Sequence, residues 1–193
     1  ADWLPLFSLD LVQSVSGEWL VLQDHALFPP GLGYLVEHRL AFNHLAPVQA
    51  LDISKAQIAG FYRRLQQSLQ SRQPDSASEE ALSGLWITSV RSSHYFEQAY
   101  LANYLDIAVV HGADLTFRDG SLWLKTLMGL KPVAALLRYL PDAQTDPLEL
   151  EPAAGGCAGL LQSIRQQQLS CLNPPGSSVL DTGVLQPFLP ALC

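Results

Sequence analysis

Apolar and polar positions follow one rhythm in the first third of the chain and another afterwards. Over residues 8–24 short apolar stretches flank Ser16-Gly17, which predicts two strands around a turn, the second being "EWLVLQ". After a break at Pro29-Pro30-Gly31, residues 34–42 fit either a helix or an extended segment. Residues 53–70 place Ile58, Phe61, Leu65 and Leu69 on one stripe, which predicts a helix capped by Asp52 or Ser54. "SRQPDSASEEA" then has linker composition and marks a boundary near 71–81.

Past that boundary, "GLWITSV" (84–90) is a continuous apolar run suited to a buried parallel strand. Ser92 or Ser93 can cap a helix reaching about Tyr104, with Phe96, Ala99, Tyr100 and Asn103 at helical spacing. "IAVVHG" (107–112) is the next strand, and "DLTFRDGSLWLK" is a hairpin turning on Asp119-Gly120. "PVAALLRYL" (132–140) follows as a buried strand, then a helix over 157–168, a strand over 169–172 and a turn at "NPPGSS". The order predicts an α/β fold: a three-layer sandwich with a largely parallel sheet. Trp19, Trp86 and Trp123 are expected in the core, and His94 and His111 in structural roles.

Composition changes this picture in one respect. Of 193 residues 48% are hydrophobic and 15% charged, against roughly 25% charged in ordinary soluble domains. Apolar surface left by that deficit needs a cover, either a second subunit or more of the same polypeptide. A start at Ala1 and an end in "FLPALC" favour the second option, a piece of a longer protein. The net charge of −7, with no basic cluster beyond Arg63-Arg64, argues against nucleic acid as a partner. No apolar run approaches the roughly 20 residues of a membrane helix, and no signal peptide is visible. Cys157, Cys171 and Cys193 are odd in number and lack C-x-x-C spacing, so a reducing, cytoplasmic setting is expected.

Several sharp motifs are missing. There is no G-x-x-x-x-G-K-[ST], no G-x-S-x-G elbow and no H-E-x-x-H helix. The turn after strand 84–90 reads "RSSHYFE" and has no glycine for close approach to a pyrophosphate.

Three places carry candidate chemistry. In "LQDHALFPPGLGYLVEHR" (22–39) a strand ends at Asp24, and a proline-stiffened turn with Gly31 and Gly33 offers backbone N–H groups. It reads as a metal and substrate-carboxylate loop or as a plain turn with a solvated Asp24. Glu37 and Arg39 are an anion-binding pair or a surface salt bridge worth about 0–1 kcal/mol. The second place, Arg91, Ser92 and Ser93 with Glu97 one turn on, is an anion site at a helix N-terminus or simple capping at capping-box spacing. Third, Arg138 closes an apolar strand ahead of Asp142 and Asp146; it faces a ligand or pairs with Asp146. Lys125 and Asn173 also fall near strand ends.

Taken together, "LVLQDHALFPPGLGYLVEHR", "HYFEQAYLANYL", "VVHGADLTFRDGSLWLKTLMGLKPVAALLRYLPDAQTDPLEL", "GLLQSIRQQQLSCLNPPGSSVL" and "FLPALC" resemble the circularly permuted ATP-grasp family, from about Leu9 to Cys193. The resemblance implies a ligase-like scaffold in which ATP with Mg²⁺ activates a carboxylate as an acyl phosphate, captured by an amine. Residues 1–75 would be the C-terminal part of a permuted ATP-grasp lobe and 81–193 a Rossmann-like α/β domain of the pre-ATP-grasp type. By resemblance Arg39, Lys125 and Arg138 are catalytic. Pro29, Gly31, Tyr34, Glu37, Ser93, Tyr95, Glu97, Asp146 and Asn173 bind substrate, and Asp24 holds metal.

The implied partners are the remainder of the polypeptide and a small-molecule or peptide substrate; a homodimer stays open. The piece alone is expected to hold no cofactor tightly and to be inactive. Several motif positions depart from the family. Gln23 and His25 stand where it has a Glu-x-Asn metal pair. Pro30 replaces a serine, His38 an asparagine, Tyr139 an arginine and Gln98 a histidine. These losses keep a second reading alive, a non-catalytic binding or assembly module. The ligase reading requires Arg39, Glu97, Lys125, Arg138 and Asn173 to gather in one anion-friendly pocket.

Overall fold

The computed structural model describes residues 4–27, 29–45, 52–153 and 155–188, with backbone alone at 43–45, 52–56 and 186. The chain begins with an antiparallel ribbon of β1 (Ser8–Gln13) and β2 (Trp19–His25), closed by a turn in which Gly17 takes φ 89°. Two helices follow, α1 (Leu32–Leu45) and α2 (Asp52–Ser71). Next come β3 (Leu82–Ile87), α3 (Tyr95–Leu105), β4 (Ala108–His111), β5 (Leu115–Arg118), β6 (Ser121–Thr126) and β7 (Gly129–Arg138). A short α4 (Leu160–Arg165) and β8 (Ser170–Leu172) complete the regular elements, ahead of a 3-10 turn at Ser177–Thr182.

Six strands form one mixed sheet in the order β4-β3-β7-β6-β5, with β8 also on β7. β3 pairs in parallel with β4 and β7, and β8 is parallel to β7; the β5–β6–β7 arm is antiparallel. The largely parallel sheet expected from the strand–helix alternation therefore holds only for its β4-β3-β7-β8 part. The hairpin forms as its turn chemistry demands: Asp119 and Gly120 have φ 52° and 82°, both left-handed as a type I′ turn needs. One side of β7 faces β3, while its other side is shared, β6 along the first half and β8 along Ala135–Leu137. A register shift opposite Leu82/Ser83 inserts Ala134 as an extra residue there.

Alternation along β3 and β7 feeds two apolar clusters. Leu85, Ile87, Ala135 and Leu137 pack with Val36 of α1, Tyr62, Leu65 and Leu69 of α2, and Leu101, Ala102 and Leu105 of α3. Trp86, Val110, Leu136 and Leu140 face the other way, with Leu115 and Leu122 of the hairpin and Leu160 before Leu169. α2 buries residues at the i, i+3, i+7 spacing its stripe predicts.

The structure decides one reading that the pattern left open and changes two others. Residues 34–42 are helical: Gly31, at φ 97°, turns the chain out of the extended state, and Leu35 N–H donates to the Gly31 carbonyl. The helix expected over 157–168 stops at Arg165, because Gln167 enters the left-handed region and Gln168 N–H closes back on Ser163. Trp19 is not core. It stands 66% exposed on the ribbon, whereas Trp86 is fully buried and donates its indole N–H to the Gly155 carbonyl.

Candidate functional site

The loop after β2 is where distant parts of the chain meet. At its base Asn173, beyond β8, donates its amide to the carbonyls of Leu6 and Ala26 and accepts from Leu6 N–H at 3.2 Å. The Asp181 carboxylate accepts from the backbone N–H groups of Ala26 and Leu27, the latter at 3.1 Å. At the loop's far end Glu97, in the first turn of α3, accepts from Gly31 N–H at 3.0 Å and Gly33 N–H at 3.1 Å through a single oxygen. The Tyr62 hydroxyl of α2 donates to the Leu32 carbonyl at 2.5 Å. Four separate segments thus hold the two ends of the loop, residues 26–27 and 31–33.

Arg138 sits behind this arrangement. Its side chain is fully buried at the end of β7, and its donors are committed. Nε donates to the Asn173 carbonyl at 3.1 Å and Nη1 to the Leu140 carbonyl at 2.5 Å. Nη2 donates to the Pro174 carbonyl and the Ser177 hydroxyl, both at 3.2 Å, and lies 2.7 Å from Asp142 Oδ1. The other Asp142 oxygen accepts from Ser178 N–H at 2.9 Å and from its hydroxyl at 2.5 Å. A guanidinium so enclosed fixes the "NPPGSS" turn and, through it, Asn173. The role visible in the structure is this anchoring, where the resemblance implied a catalytic cation.

The simpler expectation, an Arg138–Asp146 salt bridge, is overturned. Asp142 is the partner, four residues nearer along the chain. Asp146 is fully buried and accepts from Leu148, Gly159 and Leu161 N–H groups at 3.0–3.3 Å. Two of those donors belong to the start of α4, where a carboxylate meets both orphan N–H groups and the positive end of the helix.

The remaining expected site residues lie in different places. Lys125 is exposed on β6, and its ammonium donates to the Ala113 carbonyl at 3.0 Å, outside the Arg138–Asn173 network. Tyr34 is exposed in the first turn of α1, close to Pro29 and Gly31; Glu37 is exposed, and Arg39 half-buried, farther along that helix. The Glu37 carboxylate is the main influence that pushes the Tyr100 phenol's pKa up. Ser93 is exposed in the turn before α3, and Tyr95 is half-buried, its ring edge-on to Phe96 at 6.0 Å. The serines do not form the anticipated capping box. His94 occupies the N-cap without a side-chain bond, and Glu97 is spent on the loop instead. His111 is structural as expected, with one ring nitrogen 2.7 Å from the Thr88 carbonyl and the other accepting from Ala113 N–H.

Of the five groups expected to converge, Glu97, Asn173 and Arg138 act on one loop, Arg39 rides on the helix leaving it, and Lys125 is elsewhere. Asp181 and Ser177 were missed. Their signal in the sequence is slight: polar residues inside "NPPGSSVLDTG", whose Gly176 at φ 98° lets the turn fold back.

The donor set near Asp24 fits magnesium poorly. The ion takes carboxylates and water, and this strand end offers Asp24 between Gln23 and a His25 that lies 3.1 Å from Asp10. Among the described residues no group of three His, Cys, Asp or Glu side chains comes together, and no helix is long and apolar enough to cross a membrane.

Burial also sets the thiols. It pushes Cys157 up to about 12 and Cys171 up to about 11, so both stay protonated at neutral pH.

Comparison with known proteins agrees with the motif-level resemblance. A family model described as circularly permuted ATP-grasp type 2 matches residues 1–193. An uncharacterized protein of Synechocystis sp. is 29% identical over 191 residues, 98% of this chain and 40% of that protein's length. One from Mycobacterium tuberculosis is 31% identical over 188 residues, 97% of this chain and 21% of its own length. One from Mycobacterium leprae is 27% identical over 192 residues, 95% of this chain and 33% of its own. The chain thus spans well under half of these relatives. With a match that runs from its first residue to its last, it belongs to the circularly permuted ATP-grasp type 2 family.

Proposed function

We propose that this chain is the substrate-facing part of an ATP-dependent carboxylate–amine ligase. In that reaction a carboxylate oxygen attacks the terminal phosphorus of ATP and ADP leaves. The amine nitrogen then attacks the resulting acyl phosphate, and phosphate departs with the electrons of the broken C–O bond. Residues 1–75 are read as part of the grasp lobe and 81–193 as the Rossmann-like domain. ATP and Mg²⁺ are supplied to the whole protein, and the remainder of the polypeptide covers the apolar ribbon.

One observation carries this reading. Ala26 at one end of the loop is held by Asn173 beyond β8, and Gly31 and Gly33 at the other by Glu97 at the start of α3, backed by Arg138 at the end of β7. β3, β7 and β8 are mutually parallel, so the loop lies at their carboxyl ends, where open α/β sheets place ligands. In this reading Tyr34, Glu37, Arg39 and Ser93 face the substrate. Glu97, Arg138 and Asn173 hold the platform under them.

Isothermal titration of the full-length protein with Mg-ATP tests the reading. Saturable binding, followed by amine-dependent release of phosphate, is the expected result; absence of binding at millimolar nucleotide would sink it. The alternative, a non-catalytic binding or assembly module, draws on the engagement of His25 with Asp10 and on the burial of Arg138. Both remove groups that a working site would use.

A further inference from the structure

We infer that Glu97 is an internal anion that positions the turn at residues 29–33. Its carboxylate fills, from inside the protein, the place a ligand carboxylate would take on the turn's glycine N–H groups. The inference rests on the ligase reading only in naming that turn substrate-facing.

The geometry is that of a built contact. Glu97 is 1% exposed. One of its oxygens bridges Gly31 and Gly33 N–H groups at 3.0 and 3.1 Å, at the start of the 14-residue α1. The first N–H groups of a helix lack partners within it and sit at its positive end, so they attract negative charge. With Glu97 in place those donors are occupied. Gly33 is part of the same fit, because a Cβ there would run into the Glu97 carbonyl and its Cγ. The second carboxylate oxygen is buried with no hydrogen-bond partner among the described residues, so the turn and not a bonded cation holds the group. Burial and then the Glu97 charge push the Tyr139 phenol up.

A second observation ties the same two helices together. Val36 of α1 shares one buried apolar cluster with Leu101 and Ala102 of α3. α3 therefore sets both the start and the direction of α1, the helix that bears Tyr34, Glu37 and Arg39. Glu97 acts on the site through this backbone, as a positioning residue.

The test is amide hydrogen exchange on the full-length protein, comparing wild type with Glu97→Ala and Glu97→Gln. Losing a hydrogen bond of ordinary net strength should raise exchange in the peptide covering 29–36 about tenfold in Glu97→Ala, with β3 and β7 unchanged. Sodium acetate, against sodium chloride at equal ionic strength, should restore protection in that variant by supplying the missing carboxylate. Glu97→Gln keeps an acceptor oxygen without the charge and should show a smaller rise; it also carries the test if Glu97→Ala does not fold. Exchange equal to wild type in either folded variant, or acetate acting no better than chloride, overturns the inference. No nucleotide enters this measurement, so a failure to bind Mg-ATP sinks the ligase reading and leaves the Glu97 result standing.

Discussion

β2 and β3 are comparably apolar strands with opposite fates. In "WLVLQDH" Trp19, Leu20, Val21 and Leu22 are all exposed, while Leu85, Trp86 and Ile87 of "LSGLWI" are fully buried. The difference lies in what surrounds them. β3 has strands on both sides and an apolar cluster on each face. Among the described residues β2 has one partner strand and is touched near its end by the 3-10 turn, with Gln23 within 3.5 Å of the Asp181 carbonyl. A two-stranded ribbon has two open edges and too few neighbours to cover either face. A continuous apolar patch of that kind marks a surface meant to be covered. Burial is conferred by neighbours, and hydrophobicity only makes it favourable.

The largest effect that sharpens this contrast should come from the sheet's polar anchor. Arg138→Ala leaves Asp142 and three carbonyls buried without their partner, and should cost about 3–5 kcal/mol in urea unfolding. A cost below about 1 kcal/mol would mean the sheet's end is not held by this network.

Next in size, Leu85→Ala or Leu137→Ala should cost about 2–5 kcal/mol. Leu22→Ala on the ribbon should stay within about 0.5 kcal/mol in the 193-residue chain. The same ribbon substitution in the full-length protein should approach the core value if the remainder of the polypeptide covers it. Equal small effects in both would break the comparison.

A smaller effect concerns pH. Burial raises Cys157 to about 12 and Cys171 to about 11 from the ordinary 9.0. Above pH 9.0 the unfolded thiols lose protons that the folded ones keep, so the unfolded state binds fewer protons. Stability is whole below that pH and declines as pH climbs toward the folded values. Denaturant midpoints that stay flat from pH 9 upward would refute the burial, as would fast alkylation of either thiol in the native protein at pH 8.

Smallest of all, Lys125→Ala removes one exposed bond to the Ala113 carbonyl and should change stability by less than about 0.5 kcal/mol. In the ligase reading it should also leave Mg-ATP binding to the full-length protein unchanged, since Lys125 lies outside the loop's anchoring network. A large loss of binding would return Lys125 to the site.

Much of the architecture was legible along the chain. The β1–β2 hairpin, the α2 stripe, the buried strands and the Asp119-Gly120 turn all depend on residues within a few positions of each other, and pattern reports such preferences directly. The family was legible as well, through motifs spread from the first loop to the last. The polar side chains were harder. Asn173 reaches Leu6 across 167 positions and Asp181 reaches Ala26 across 155, and no local rule links such pairs. Glu97 at capping-box spacing could serve its own helix or a glycine turn 64 residues away, and only packing chose the turn.

By itself, then, the order of residues determined where strands and helices prefer to form, which faces gain by burial, and the family. Tertiary structure decided that Trp19 stays in solvent, that Arg138 chooses Asp142 over Asp146, and that the Gly31 and Gly33 donors are filled from within. The reason is range. Backbone propensity and side-chain periodicity act over one or two turns, whereas desolvation and hydrogen-bond pairing depend on whichever distant atoms the folded chain brings alongside.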